Sequence, residues 1–75
     1  MQELISFIVK SIVANKDAVQ VEAVKEDRFT LYNVSVDSSD IGAVIGKSGK
    51  IAEAIRTVVK SASGRERLRI KFESK

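Results

Sequence analysis

The chain has 75 residues, 44% of them hydrophobic, which allows one small globular domain and excludes a disordered tail; no apolar run approaches the roughly 18 residues of a membrane span. It contains no cysteine and no histidine, which removes disulfides, the usual zinc ligands and imidazole catalysis, so we expect neither an enzyme nor a bound cofactor or metal. The net charge of +3 is divided unevenly, because residues 1–45 carry four basic and seven acidic side chains whereas residues 46–75 carry nine and three. The basic half is therefore the expected contact for an anionic partner.

The first predicted element is an amphipathic helix over residues 2–14. Ser6 and Lys10 interrupt its apolar run and no small-residue cleavage site follows, so the segment does not resemble a signal peptide and we expect a cytoplasmic protein. Its inward stripe recurs at helical spacing and comprises Leu4, Ile5, Ile8, Val9, Ile12 and Val13.

From Val19 the pattern changes to alternation, which predicts a first strand, a polar turn at residues 25–28 and a second strand over residues 29–36. In the first strand the apolar side is Val19, Val21 and Ala23. In the second, one side carries Phe29 and Leu31 and the other carries Tyr32, Val34 and Val36, so we expect a bulge or burial on both sides. The aromatic residues are expected in the core: Phe7, Phe29, Tyr32 and Phe72.

Two helices and a last strand complete the chain. Residues 37–40, Asp-Ser-Ser-Asp, are N-cap candidates for a two-turn helix with the apolar positions Ile41, Val44 and Ile45. A longer helix, starting at Ser48 or Gly49 and ending near Ser63-Gly64, has the inner stripe Ile51, Ile55, Val58, Val59 and Ala62. The last strand, residues 67–72, points Leu68, Ile70 and Phe72 inward and Arg67, Arg69 and Lys71 outward.

The element order α-β-β-α-α-β predicts an α+β fold, because two helices between consecutive strands imply a crossover and hence a parallel pair. We expect one domain over residues 1–75, with a three-stranded mixed sheet and helices on one face only. So small a core also favours self-association.

The segment that joins the two later helices, Gly46-Lys47-Ser48-Gly49, is the best candidate for a functional site. Glycines let the backbone turn sharply and approach a ligand closely, and Lys47 and Lys50 add two cations beside a helix N-terminus, an arrangement that suits a nucleic-acid phosphate backbone. The same four residues could also be a tight helix-to-helix joint without a ligand. A P-loop is excluded, since the pattern would need glycine at Ile41.

Residues 40–59, with Ile45-Gly46-Lys47-Ser48-Gly49 at their centre, resemble the type II KH domain and most closely the small bacterial single-KH proteins of the KhpA family. The resemblance extends over essentially the whole chain. Two positions depart from the family pattern: Ala52 stands where many KH domains have isoleucine, and Lys16 where the family often has proline. Alanine at 52 implies a shallower groove with weaker base specificity.

The resemblance implies single-stranded RNA binding, with a GxxG loop that clamps the backbone and an apolar groove that receives bases. Carried over to this chain, the loop residues are Gly46, Lys47, Ser48 and Gly49, the groove residues are Ile41, Val44, Ile45 and Ile55, and the flanking backbone contacts are Lys50 and Arg56. Each of the four groove residues is also a natural core residue, and for Ile55 the core assignment is favoured over direct base contact. Arg65, Arg67, Arg69 and Lys71 either extend the RNA track or form a solvated face.

The resemblance also implies an RNA chaperone or post-transcriptional regulator that forms a homodimer and pairs with a larger KH-containing partner, KhpB, with a role in cell division, cell shape and envelope growth. The alternative is a protein-interaction module with weak RNA contact. A phosphate- or nucleotide-binding enzyme fragment is disfavoured by the missing histidine and cysteine.

Overall fold

The computed structural model describes all residues from 1 to 75, arranged in the predicted order α-β-β-α-α-β. The helices are α1 (Gln2–Lys10), α2 (Ile41–Ile45) and α3 (Lys50–Ser63), and the strands are β1 (Gln20–Lys25), β2 (Thr30–Val36) and β3 (Leu68–Ser74). A single turn of 3-10 helix at Lys16–Ala18 precedes β1, and a tight turn at Lys47–Gly49 precedes α3. The α+β class is confirmed.

The sheet has the strand order β1-β2-β3, with β2 in the centre. β2 pairs antiparallel with β1 and parallel with β3, as the crossover through α2 and α3 requires. The predicted mixed sheet is therefore confirmed. Both β1 and β3 are edge strands; α1 packs against β1, whereas α2 and α3 pack against β3.

The core lies between one face of the sheet and all three helices. It comprises Ile5, Val9 and Val13 from the α1 region, Tyr32, Val34 and Val36 from β2, Val44 from α2, Ile55 and Val59 from α3, and Leu68 and Ile70 from β3. On the opposite face the side chains of Arg69 and Lys71 are exposed. The prediction of helices on one face is confirmed.

The conflicting alternation in β2 is resolved without a bulge. The pairing with both neighbours runs without interruption from Thr30 to Val36, so Leu31 lies on the open face of the sheet while Tyr32 lies on the core face. Leu31 and Phe29 are half-buried. Successive side chains of a strand point to opposite faces, so Phe29, two residues before Leu31, is on the same side as Leu31. Phe29 therefore lies outside the core.

Five apolar positions of the predicted helices are more exposed than the sequence predicts, namely Phe7, Ile12, Ile51, Val58 and Ala62. α1 ends at Lys10 rather than at residue 14, and Phe7 is 71% exposed, so its assignment to the core is wrong. On α3, Ile51 and Val58 are 40% and 53% exposed, because the buried stripe runs through Ala52, Ile55 and Val59. The apolar stripe of each helix is wider than the strip of helix surface that packs on the sheet, so the residues at the edges of the stripe stay in solvent.

Candidate nucleic-acid interface

The turn between α2 and α3 begins at a position that only glycine can occupy. Gly46 has φ 75° and ψ 176°, a backbone region essentially restricted to glycine. A Cβ there would overlap Cγ1 of Ile51 and lie 2.7 Å from Cβ and 2.9 Å from the backbone nitrogen of the same residue. Gly46 thus allows the start of α3 to pack directly on the turn.

The next residues form a left-handed step. Ser48 has φ 56° and ψ 27°, and Gly49 has φ 77° and ψ 11°; Ser48 is the one non-glycine residue of the chain with a positive φ. The amide of Gly49 donates a hydrogen bond of 3.2 Å to the carbonyl oxygen of Gly46, which closes the turn. A serine in this region costs about 1–2 kcal/mol, and such local strain is typical of ligand-binding loops.

The turn presents cations and a helix N-terminus to solvent. The side chains of Lys47, Ser48 and Lys50 are exposed, so nothing in the fold covers them. α3 begins at Lys50 rather than at Ser48 or Gly49, and its N-cap, Gly49, provides no side-chain hydrogen bond. The positive end of the α3 dipole is therefore uncapped and adjacent to two lysines, an arrangement that favours a bound anion such as a phosphate.

Arg56 lies farther along α3 and contacts β3. Its Nε and Nη2 atoms each donate to the carbonyl oxygen of Ile70 at 3.4 Å, and its guanidinium carbon lies 5.5 Å from the ring centroid of Phe72. Six residues of helix separate it from Lys50, which is about 9 Å along the axis. Arg56 thus borders the space between α3 and the edge strand, with its charge held by β3 rather than by the turn.

The predicted groove residues divide into two groups. Ile41 and Ile45 are half-buried and keep apolar surface in solvent, as a base-binding groove requires. Val44 and Ile55 are 0% and 3% exposed and belong to the core, so they are not surface groove residues in this structure. Ala52 is also buried, at 2% exposure.

Phe72 and Ile51 are apolar residues near the site that sequence reasoning did not identify. Phe72 points inward as the alternation of β3 predicts and packs against the core, but it stays half-buried on the edge strand with Arg56 over its ring. The helical spacing assigns Ile51 to the inner stripe of α3, yet it is 40% exposed and packs on Gly46. Alternation could not show that Phe72 keeps part of its surface exposed, because it does not show that β3 is an edge strand.

Asp40 holds the start of α2 in place, in a way that differs from the predicted N-cap. It is the N-cap residue of α2, but its carboxylate makes no capping hydrogen bond. Instead it accepts hydrogen bonds from the backbone amides of Asn15, at 3.0 Å, and Ala14, at 3.1 Å. These two bonds lower the pKa of the buried Asp40 carboxyl below its usual value, although burial opposes the shift. The end of the α1 segment is therefore tied to the helix that leads into the turn.

The four basic residues that the sequence offers as an extension of the RNA track lie along β3 and the turn before it. Arg65 is exposed in the connection from α3 to β3, and Arg67 immediately precedes the strand. Arg69 and Lys71 pair with Leu31 and Asn33 on the open face of the sheet, as predicted from the alternation. Arg65 and Arg67 follow the C-terminal end of α3, far from the turn, whereas Lys71 lies between Ile70 and Phe72, the two residues that Arg56 contacts.

No group of three or more histidine, cysteine, aspartate or glutamate residues is placed to hold a metal ion. No helix has the length and apolar character needed to cross a membrane.

Comparison with known proteins identifies the family. The family model described as KhpA/KhpB, KH domain, matches residues 2–73. The chain is 38% identical over 71 residues to the RNA-binding protein KhpA of Borreliella burgdorferi, which covers 95% of this chain and 87% of the relative. It is 42% identical over 73 residues to RNA-binding proteins KhpA of Caldanaerobacter subterraneus subsp. tengcongensis and Clostridium acetobutylicum, with 97% of each chain covered. With its KH-type fold and its glycine turn between α2 and α3, the chain belongs to the KhpA/KhpB family of KH domains.

Proposed function

We propose that the protein binds single-stranded RNA non-enzymatically, with the Gly46–Gly49 turn as the clamp on the phosphate backbone. The observation that carries this proposal is the turn itself. Ser48 and Gly49 are left-handed, Lys47 and Lys50 are exposed, and the N-terminus of α3 has no side-chain cap. A turn that served only to join two helices would not require a strained serine between two exposed cations.

The bases lie on the apolar surface beside the clamp. Ile41 and Ile45 of α2 are half-buried, and Phe72 of β3 adds an aromatic ring with a guanidinium over it. KH domains hold about four nucleotides in this way. Apolar contacts and a single aromatic ring discriminate poorly between bases, so we propose a binder that tolerates many sequences and acts as an RNA chaperone or post-transcriptional regulator in the cytoplasm.

Exposed apolar residues favour a second role in protein pairing. Phe7, Val58, Ile51 and Ile12 are 71%, 53%, 40% and 37% exposed, although apolar side chains of this size are normally buried. We propose that residues 1–75 form one KH domain that self-associates through such surface. We also propose, by analogy with the family, that it pairs with KhpB and has a role in cell division and envelope growth. If pairing is the main role, RNA affinity is weak and the apolar residues carry the function.

The test is a charge reversal in the turn. Changing Lys47→Asp and Ser48→Asp places two carboxylates where the phosphates bind, so we expect RNA affinity to be lost through electrostatic repulsion. The fold should persist, because aspartate tolerates the left-handed region and acidic residues stabilise a helix N-terminus.

A matched control is Gln20→Glu with Lys25→Glu, which makes the same change of three charge units on exposed positions of β1, the edge strand farther from α2. It should keep most of the RNA affinity. If both double variants lose affinity equally, net charge rather than the turn determines binding. Unchanged affinity in the turn variant, with circular dichroism also unchanged, would disprove the clamp.

A further inference from the structure

A cavity of about 770 Å³ lies at the opposite end of α3 from the turn, between the β1–β2 hairpin loop, the last turn of α3 and the start of β3. Its volume is within the range of roughly 300–1,000 Å³ that is usual for ligand sites. Four basic side chains line it: Arg28, Lys60, Arg67 and Arg69. We call it the hairpin cavity.

An aromatic ring lines the same cavity. Phe29 is half-buried, and the guanidinium carbon of Arg69 lies 5.2 Å from its ring centroid. Guanidinium groups and aromatic rings are the surfaces on which proteins stack unpaired nucleic-acid bases. The Phe29–Arg69 pair therefore suits a base, while the neighbouring cations suit its phosphate.

Three carboxylates in the lining favour a nucleotide over a bare anion. Glu26, Asp27 and Glu66 also line the hairpin cavity. Glu66 already accepts a hydrogen bond of 2.8 Å from the hydroxyl of Tyr32, whose pKa is raised mainly by burial, so the phenol stays protonated and donates. Carboxylates repel a free phosphate but accept hydrogen bonds from exocyclic amino groups of bases. The mixed lining thus favours a phosphate that carries a base.

A second cavity adjoins the hairpin cavity on the side of Arg56. It has a volume of about 350 Å³, shares Lys60, Leu68 and Arg69 with the hairpin cavity, and extends to Arg56. From Lys50 to Lys60 the axis of α3 measures about 15 Å. Four or five stacked nucleotides at about 3.4 Å each span that length. A strand that leaves a four-nucleotide clamp therefore arrives at the hairpin cavity.

We propose that the hairpin cavity binds a further nucleotide of the RNA strand that the turn holds, with Arg28 and Arg67 on its phosphates and the Phe29–Arg69 pair against its base. This inference rests on the proposed function. It extends the footprint beyond the four nucleotides of the clamp and gives the hairpin loop a role in binding.

The test compares a tetranucleotide with an RNA of about ten nucleotides by fluorescence anisotropy at several salt concentrations. Two additional phosphate contacts steepen the salt slope by about 1.4 units for single strands. Raising salt from about 50 to 200 mM should therefore weaken the longer RNA about seven-fold more than the tetranucleotide. In the double variant Arg28→Ala, Arg67→Ala this difference should vanish, while tetranucleotide affinity stays unchanged.

Two further variants complete the design. Lys10→Ala with Lys16→Ala removes the same charge outside both cavities and should leave the difference intact. Phe29→Leu keeps most of the apolar volume but removes the ring, so it should weaken the longer RNA at an unchanged salt slope.

Equal salt slopes for the two RNAs in the unmodified protein would overturn the hairpin cavity proposal and leave the clamp standing. The proposal is equally overturned if the Lys10, Lys16 control loses the difference as completely as the Arg28, Arg67 variant. Binding of cytidine monophosphate can be followed through the NMR shifts of Phe29 and Arg69. If it binds there as tightly as the longer RNA, the cavity is a site for free nucleotides instead. The clamp proposal is tested by a separate result. It is refuted if the double variant Lys47→Asp, Ser48→Asp still binds the tetranucleotide.

Discussion

The two glycines of the turn should differ greatly in how much an alanine costs. At Gly46, alanine would adopt a glycine-only backbone conformation, at about 1–3 kcal/mol, and would also overlap Ile51, at about 1–3 kcal/mol for overpacking. At Gly49 the backbone is left-handed, but a Cβ would meet no atom within 4 Å. That substitution costs only about 1–2 kcal/mol.

The total for Gly46→Ala, about 2–6 kcal/mol, is a large part of the roughly 4–11 kcal/mol expected for a chain of this length. Urea unfolding followed by circular dichroism measures both variants on one scale. We expect Gly46→Ala to lose clearly more stability than Gly49→Ala. Equal losses, or a larger loss at Gly49, would refute the packing of α3 on the turn.

A double-mutant cycle isolates the overlap from the backbone strain. Ile51→Ala removes the Cγ1 atom that the new methyl group would overlap, and it should cost little by itself because Ile51 is 40% exposed. Gly46→Ala should therefore be less destabilising in the Ile51→Ala background, by about 1 kcal/mol, since Cβ and the backbone nitrogen of residue 51 remain. Strict additivity would show that the two residues do not interact.

The remaining predictions concern affinity, pH and assembly. Log affinity for a tetranucleotide, which has three phosphodiesters, should fall with log salt at a slope of roughly −2. Lys50→Ala or Arg56→Ala should each reduce that slope by somewhat under one unit for all sequences alike; weakening of one sequence at constant slope would make these residues base readers. Because the folded-state pKa of Asp40 is lowered, its ionised form contributes stability above the usual value of 3.8, and that contribution is lost as pH falls further, through the folded-state pKa. Asp40→Asn should thus unfold more easily than the unmodified protein at pH 7, with a difference in urea midpoint that shrinks below about pH 4; a difference independent of pH would exclude the ionic role. Sedimentation at micromolar concentration should show a dimer that Val58→Asp weakens, because Val58 is 53% exposed; a strict monomer would favour a heterologous partner.

The sequence by itself determined the elements, their order and the position of the candidate site. Hydrophobic periodicity depends on local spacing, so α3 and its end at Ser63 and Gly64, the three strands and the parallel pairing could all be predicted. The glycine turn was identifiable because Gly46 and Gly49 are needed for backbone geometry, and that need is visible in the residue type.

Only the tertiary structure decided which of these residues face solvent and which partners they contact. Phe7 and Val58 satisfy a helical stripe yet lie outside the core, whereas Val44 is fully buried. The carboxylate of Asp40 makes no capping hydrogen bond to α2 because it accepts instead from the backbone amides of residues 14 and 15, which are distant in the chain. Arg56 contacts Ile70 and Phe72 because β3 is an edge strand beside α3. Periodicity assigns a residue to one side of its own element, but exposure and partners depend on where the other elements pack, and that is decided by contacts distant in the chain.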